Sequence, residues 1–175
     1  MIQNRLTNLQ RNLLARETQQ DRQQQGKRFL QFSLKENISG LVPLKDLYGT
    51  IKVSLKDILP VPQVAEHWLG ITNYQGEAIW ILDFLQLLDG HNWLRREPFA
   101  LSGMIMLVKI EERIIGLLVE QIQGIEIYYE EDCLPIAEVD SNIQMMSFFK
   151  GYFLNNRHES SFLLDINRLI SWLKI

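Results

Sequence analysis

The sequence has one cysteine, Cys133, and a lone thiol forms no internal disulfide. A reducing, cytoplasmic setting is therefore expected. No apolar run approaches the ~18 residues of a membrane span, so direct membrane insertion is not expected. The opening Met-Ile-Gln-Asn-Arg is polar and reads as no secretory leader. His67, His91 and His158 share no metal-ligand spacing with one another or with Cys133. There is no glycine-rich phosphate loop and no nucleophile elbow. Cys133 follows Glu130-Glu131-Asp132, whose negative field raises a thiol's pKa and blunts its reactivity. The expectation is no catalytic residue, no metal and no cofactor.

Net positive charge is confined to the N-terminus, and the remainder of the chain is acidic. Net charge is −3. Residues 1–28 carry six basic groups against two acidic ones, a local +4, while residues 111–140 carry nine acids against Arg113. An acidic body lacks the clustered cations that displace counterions from nucleic acid, so no nucleic-acid partner is expected. In the basic segment, Ile2, Leu6, Leu9 and Leu13 form one helical stripe before a run of glutamines. The stripe covers about two heptads, short of the three or four that argue a coiled coil. Residues 1–27 read as an N-terminal helical tail and linker, dispensable for folding of the body.

The chain does have order that repeats. Gly40-Leu41-Val42 is answered by Gly116-Leu117-Leu118, and Leu59-Pro60-Val61 by Leu134-Pro135-Ile136. Gly70-Ile71 is answered by Gly151-Tyr152, and Ile81-Leu82-Asp83-Phe84 by Leu163-Leu164-Asp165-Ile166. The offsets, 76, 75, 81 and 82 residues, drift only where loops absorb insertions. Two related units of this size bury little surface alone, so a shared core is expected. Alternation at Leu30, Phe32 and Leu34 starts a β-texture that recurs at 48–53, 78–82, 104–110, 113–119, 122–128 and 162–164. Asp83 and Asp165 each precede a short helical pattern and read as structural helix caps. The body is mainly β, a pair of related small barrels with short helices. Subdomain one covers about 29–90 and subdomain two about 102–172, within a domain of 28–175.

Without a catalytic constellation, the remaining reading is a binding module. The stretch 58–84 contains Leu59-Pro60-Val61-Pro62, Leu69-Gly70-Ile71, Asn73-Tyr74-Gln75-Gly76 and Ile81-Leu82-Asp83-Phe84. It resembles the signature of the CheW family, the coupling proteins of bacterial chemotaxis. Ile114-Ile115-Gly116-Leu117-Leu118-Val119-Glu120 and Leu163-Leu164-Asp165-Ile166 resemble its later landmarks. The abundance of Trp and Tyr is similar to CheW-like proteins of cyanobacterial pilus-motility and phototaxis clusters. The resemblance implies two five-stranded SH3-like barrels on a common core and a scaffold without catalytic activity. It implies two partners, the regulatory domain of a CheA-like histidine kinase and the cytoplasmic tip of a chemoreceptor, and recruitment to receptor arrays. A scaffold module for a different motility or response-regulator partner is the alternative.

The resemblance places the kinase contact at Leu47, Tyr48, Ile51 and the Asn73-Tyr74-Gln75-Gly76 turn. Tyr48 is expected to face away from Leu47 on a strand. Three positions depart from the family pattern. Gln75 stands where the family has Arg, Ala65 where it has a second Pro, and Gly49 where it has Glu. A neutral amide in place of a guanidinium fork loses charge and bidentate geometry, which bears on receptor contact.

Overall fold

The computed structural model describes residues 26–35, 38–89, 102–110, 112–136, 146–155 and 159–173. The expected tail helix over residues 1–25 lies outside them. The alternating and β-branched stretches form ten strands: β1 (Lys27–Lys35), β2 (Ile38–Pro43), β3 (Leu47–Ser54), β4 (Trp68–Tyr74), β5 (Glu77–Asp83), β6 (Ser102–Ile110), β7 (Arg113–Val119), β8 (Ile122–Tyr128), β9 (Phe149–Leu154) and β10 (Ser160–Leu164). Among the described residues, two short α-helices, α1 (Phe84–Asp89) and α2 (Ile166–Leu173), follow β5 and β10. The mainly β, twin five-stranded architecture expected from the sequence is present.

One sheet has the order β8-β1-β2-β10-β9 and the other β3-β6-β7-β5-β4. The two orders match strand for strand when β1–β5 are set against β6–β10. In both, an antiparallel hairpin (β1–β2 or β6–β7) meets a parallel neighbour (β10 or β5). Each sheet then closes on itself. Past β3, Leu59 exchanges two backbone hydrogen bonds with Ile71 of β4, at 2.7 and 2.9 Å. Past β8, Leu134 does the same with Tyr152 of β9, at 2.8 and 2.9 Å. These are the repeated Leu-Pro and Gly-apolar landmarks, now in contact. Gly70, at φ 139, sits so close that a β-carbon would strike the Leu59 carbonyl. At Gly151 a β-carbon would lie 2.8 Å from the Leu134 oxygen. Both sites require glycine for backbone approach.

The expected assignment of one barrel to each half of the sequence is corrected. The β1 barrel combines β1 and β2 with β8, β9 and β10, and the β3 barrel combines β6 and β7 with β3, β4 and β5. The two halves repeat, but they exchange their hairpins. The physical reason lies in burial. On β1, Leu30, Phe32 and Leu34 enter the main core cluster, while Phe29 packs in a second one with Leu41, Phe153 and Leu163. A hairpin buried on both faces needs covering from both halves, so strand exchange merges two small cores into one. The main cluster runs from Phe32 through Phe84 and Ile105 to Phe148 and Leu169.

Asp83 and Asp165 occupy equivalent helix starts. The Oδ1 of Asp83 accepts the Gln86 N–H at 3.1 Å, and the Oδ1 of Asp165 accepts those of Asn167 and Arg168 at 3.0 and 3.2 Å. Their own N–H groups donate to the carbonyls of His67 and Phe148, both at 2.8 Å.

Candidate functional site

The sequence-derived contact residues lie at the two edge strands of the β3 barrel. Tyr74 pairs with Glu77, which leaves Gln75 and Gly76 as a two-residue hairpin loop. Both have positive φ, 54° and 91°, the arrangement of the tight hairpin turn that matches strand twist. Asn73 Oδ1 accepts the Gly76 N–H at 3.2 Å, and Gln75 Nε2 donates to the Tyr74 hydroxyl at 3.2 Å. Across the barrel seam, the Tyr48 ring meets Tyr74 edge-on, with centroids 6.3 Å apart. Tyr48 is 52% exposed. It falls at a bulge, since β3 slips register against β6 between Leu47 and Gly49. Exposure alternates along β3 through the bulge, with Tyr48, Thr50 and Lys52 on the solvent side and Leu47 and Ile51 half-buried.

The structure brings Tyr48, Asn73, Tyr74, Gln75 and Gly76 onto one rim. Leu47 and Ile51 lie on the same strand as Tyr48, half-buried and packed against the core. Gly49 has nothing within 4 Å of the place a β-carbon would take, so the glycine is not demanded by packing. Ala65 is exposed before β4. At Gln75 a residue with a β-carbon is held in the left-handed region. Asparagine tolerates that region better and makes the favoured Asn-Gly turn. Gln75→Asn is expected to raise stability by about 0.5 kcal/mol. Urea denaturation checks this, and a loss would mean that the Gln75–Tyr74 bond outweighs the backbone strain.

A second surface is aromatic. Trp68 and Trp80 meet edge-to-face at 5.6 Å, His67 lies 5.2 Å from Trp172, and Trp172 lies 5.5 Å from Phe148. Trp68, Trp80, Val64 and Leu173 line a groove of about 610 Å³, and Arg113 and Glu112 lie at it. Sequence reasoning did not single out this cluster. Trp68 and Trp80 follow no local period. They meet because the hairpin folds back at Gln75-Gly76 and slips register between Trp68 and Gly70. Burial holds the His67 imidazole below its ordinary pKa, which favours the neutral ring among these aromatics.

Cys133 is half-buried, and its pKa is raised as expected, but burial is the first cause and Glu130 adds to it. The neighbouring Lys150 acts in the opposite direction. Among the described residues, no three His, Cys, Asp or Glu side chains converge where they could share a metal ion. Nor is any described helix long and apolar enough to cross a membrane.

Comparison with known proteins adds the family. Residues 28–174 match the CheW-like domain. The chain is 25% identical to a chemotaxis protein CheW of Rhizobium meliloti (strain 1021) over 92 residues, which is 53% of this chain and 56% of that protein. The fold matches the crystal structure of the scaffolding protein TtCheW from Thermoanaerobacter tengcongensis. The TM-score is 0.67 at 20% identity, covering 80% of this chain and 89% of that one. The family match runs through every strand of both exchanged barrels, and on it the chain belongs to the CheW-like domain family.

Proposed function

We propose that this CheW-like protein is a non-catalytic adaptor that couples a chemoreceptor-like protein to a CheA-like histidine kinase. The systems it serves are chemotaxis, phototaxis or pilus-driven motility. The observation that carries the reading is the family match over residues 28–174, which embraces both barrels. The tyrosine rim of the β3 barrel supplies a suitable contact. Tyr48 and Tyr74 present apolar ring faces with polar tips, the side-chain type enriched where one protein docks on another. The rim joins edge strands β3 and β4, and strand edges are a recurrent docking element. The protein then acts by position, holding receptor tip and kinase regulatory domain together in arrays beneath the membrane.

One observation favours a second reading, a CheW-like module serving another motility or response-regulator partner. Gly49 and Gln75 remove a carboxylate and a guanidinium that the family pattern carries on this rim, which weakens charge-directed receptor contact. Both readings meet one experiment. The purified protein is mixed with the regulatory domain of a kinase from its own genome and with a receptor cytoplasmic tip, and ternary assembly is followed by sedimentation. Adaptor function requires all three components in one species. Kinase binding without receptor leaves the second reading, and binding to neither removes both.

A further inference from the structure

The internal repeat allows the two barrels to be compared residue by residue, and one end differs. The Leu134–Tyr152 bridge is equivalent to Leu59–Ile71, so Cys133 corresponds to Ile58. By the same register, Glu130 corresponds to Leu55, each opening a 3-10 turn, and Lys150 corresponds to Leu69, each preceding a landmark glycine. In the β3 barrel these three positions are apolar and plug the end. Ile58 is buried, and Leu55 and Leu69 pack on the main core. In the β1 barrel the same positions hold a short thiol and two exposed charged groups.

A cavity of about 590 Å³ lies at that end of the β1 barrel. Phe29, Phe153 and Leu163, members of the barrel's own core cluster, line it, and so do four cations, Lys27, Arg28, Lys45 and Lys150, against one carboxylate, Glu130. Lys27 is ion-paired with Glu130. Lys45 and Lys150 form no ion pair among the described residues. The three lysines hold the Glu130 carboxyl below its ordinary pKa, Lys27 most strongly through its hydrogen bond, and all line one mouth.

We propose that this open barrel end binds a small amphipathic anion, an aromatic or branched-alkyl carboxylate or sulfonate. The apolar body covers Phe29, Phe153 and Leu163, where transfer from water is favourable. The anionic head lies between Lys45 and Lys150, neither of which is ion-paired among the described residues. A neutral hydrocarbon gains only the first contribution and inorganic anions only the second. The volume is within the range of about 300–1,000 Å³ usual for small-ligand sites.

The test uses the full chain and two fluorescent probes of nearly the same shape, 8-anilinonaphthalene-1-sulfonate and its uncharged counterpart N-phenyl-1-naphthylamine. The sulfonate should bind saturably at one site and about tenfold tighter than the neutral probe. Lys45→Ala should weaken the sulfonate by several-fold and leave the neutral probe unchanged. The pair Cys133→Ile with Lys150→Leu, which installs the plugging residues of the other barrel, should abolish binding of both probes. Circular dichroism and melting temperature establish that each variant is folded. Lys45 is exposed, so its variant keeps the test decisive even where the plugging pair does not fold. Equal affinity for the two probes, or sulfonate binding indifferent to Lys45→Ala, overturns the proposal.

Discussion

Phe32→Ala is expected to lower folding stability by about 3–5 kcal/mol, the cost of removing a buried aromatic ring and leaving its cavity. Phe32 is fully buried on β1, and its ring meets that of Phe84 edge-on at 5.9 Å. Phe84 begins α1 at the end of β5, a strand of the other sheet. The pair therefore ties the two barrels together at the exchanged hairpin. Opposite Phe32 on β2 lies Gly40, and a β-carbon there would come within 2.6 and 2.7 Å of the two ring Cε atoms. The ring occupies the space the glycine leaves, an aromatic covering a glycine across a strand pair. Against a total stability of about 5–15 kcal/mol, such a loss leaves a marginal fold. Urea denaturation measures it. Gly40→Ala should also destabilise, and less so in a Phe32→Leu background, because the clash then has room to relax. A loss under about 1 kcal/mol for Phe32→Ala would show that the barrels are held together elsewhere.

Tyr48→Glu is expected to weaken binding to a CheA-like regulatory domain by more than about 2 kcal/mol, or roughly 30-fold. The expectation rests on the proposed adaptor role and on the position of Tyr48. It is exposed at a bulge, and among the described residues the ring it meets is Tyr74, at 6.3 Å. A carboxylate there would be solvated in the free protein and buried without a partner in the complex, which is where the cost arises. The same exposure predicts an unchanged fold, verified by circular dichroism. Tyr48→Phe keeps the ring and should retain most of the affinity. A folded Tyr48→Glu protein that binds as before would move the kinase surface away from this rim, most directly to the acidic stretch at residues 126–132.

The internal repeat was legible without any structure, because its landmarks are local. A glycine beside an apolar pair, a Leu-Pro and an Asp between strand and helix keep their order and spacing whatever lies around them. The equivalent bridges at Leu59–Ile71 and Leu134–Tyr152 are the physical content of that order. Strand positions were legible for a similar reason. Alternation at Leu30, Phe32 and Leu34 and the apolar run around Ile79-Trp80-Ile81 report burial on one face or two, and burial is a property of each residue. The Asn73-to-Gly76 turn carried its own signal in its glycine and its short polar residues.

Strand exchange was not legible. Hydrophobic period says that β1 and β2 are covered, but it does not say which half covers them, since β8 and β10 lie far away in sequence. The bulges at Leu47/Gly49 and Trp68/Gly70 were invisible for a related reason. A one-residue slip leaves composition unchanged while it decides whether Trp68 meets Trp80. The open end of the β1 barrel lies between these cases. Glu130, Cys133 and Lys150 were plain in the chain, and so were Leu55, Ile58 and Leu69. Only the closed barrels show that the two sets occupy the same place, one filling it and the other leaving it open. Local sequence determined which segments become strands and where the turns fall, because those depend on short-range sterics and burial. Tertiary structure decided which strands share a barrel and which side chains share a surface, because those depend on contacts between residues that the chain brings together only when it folds.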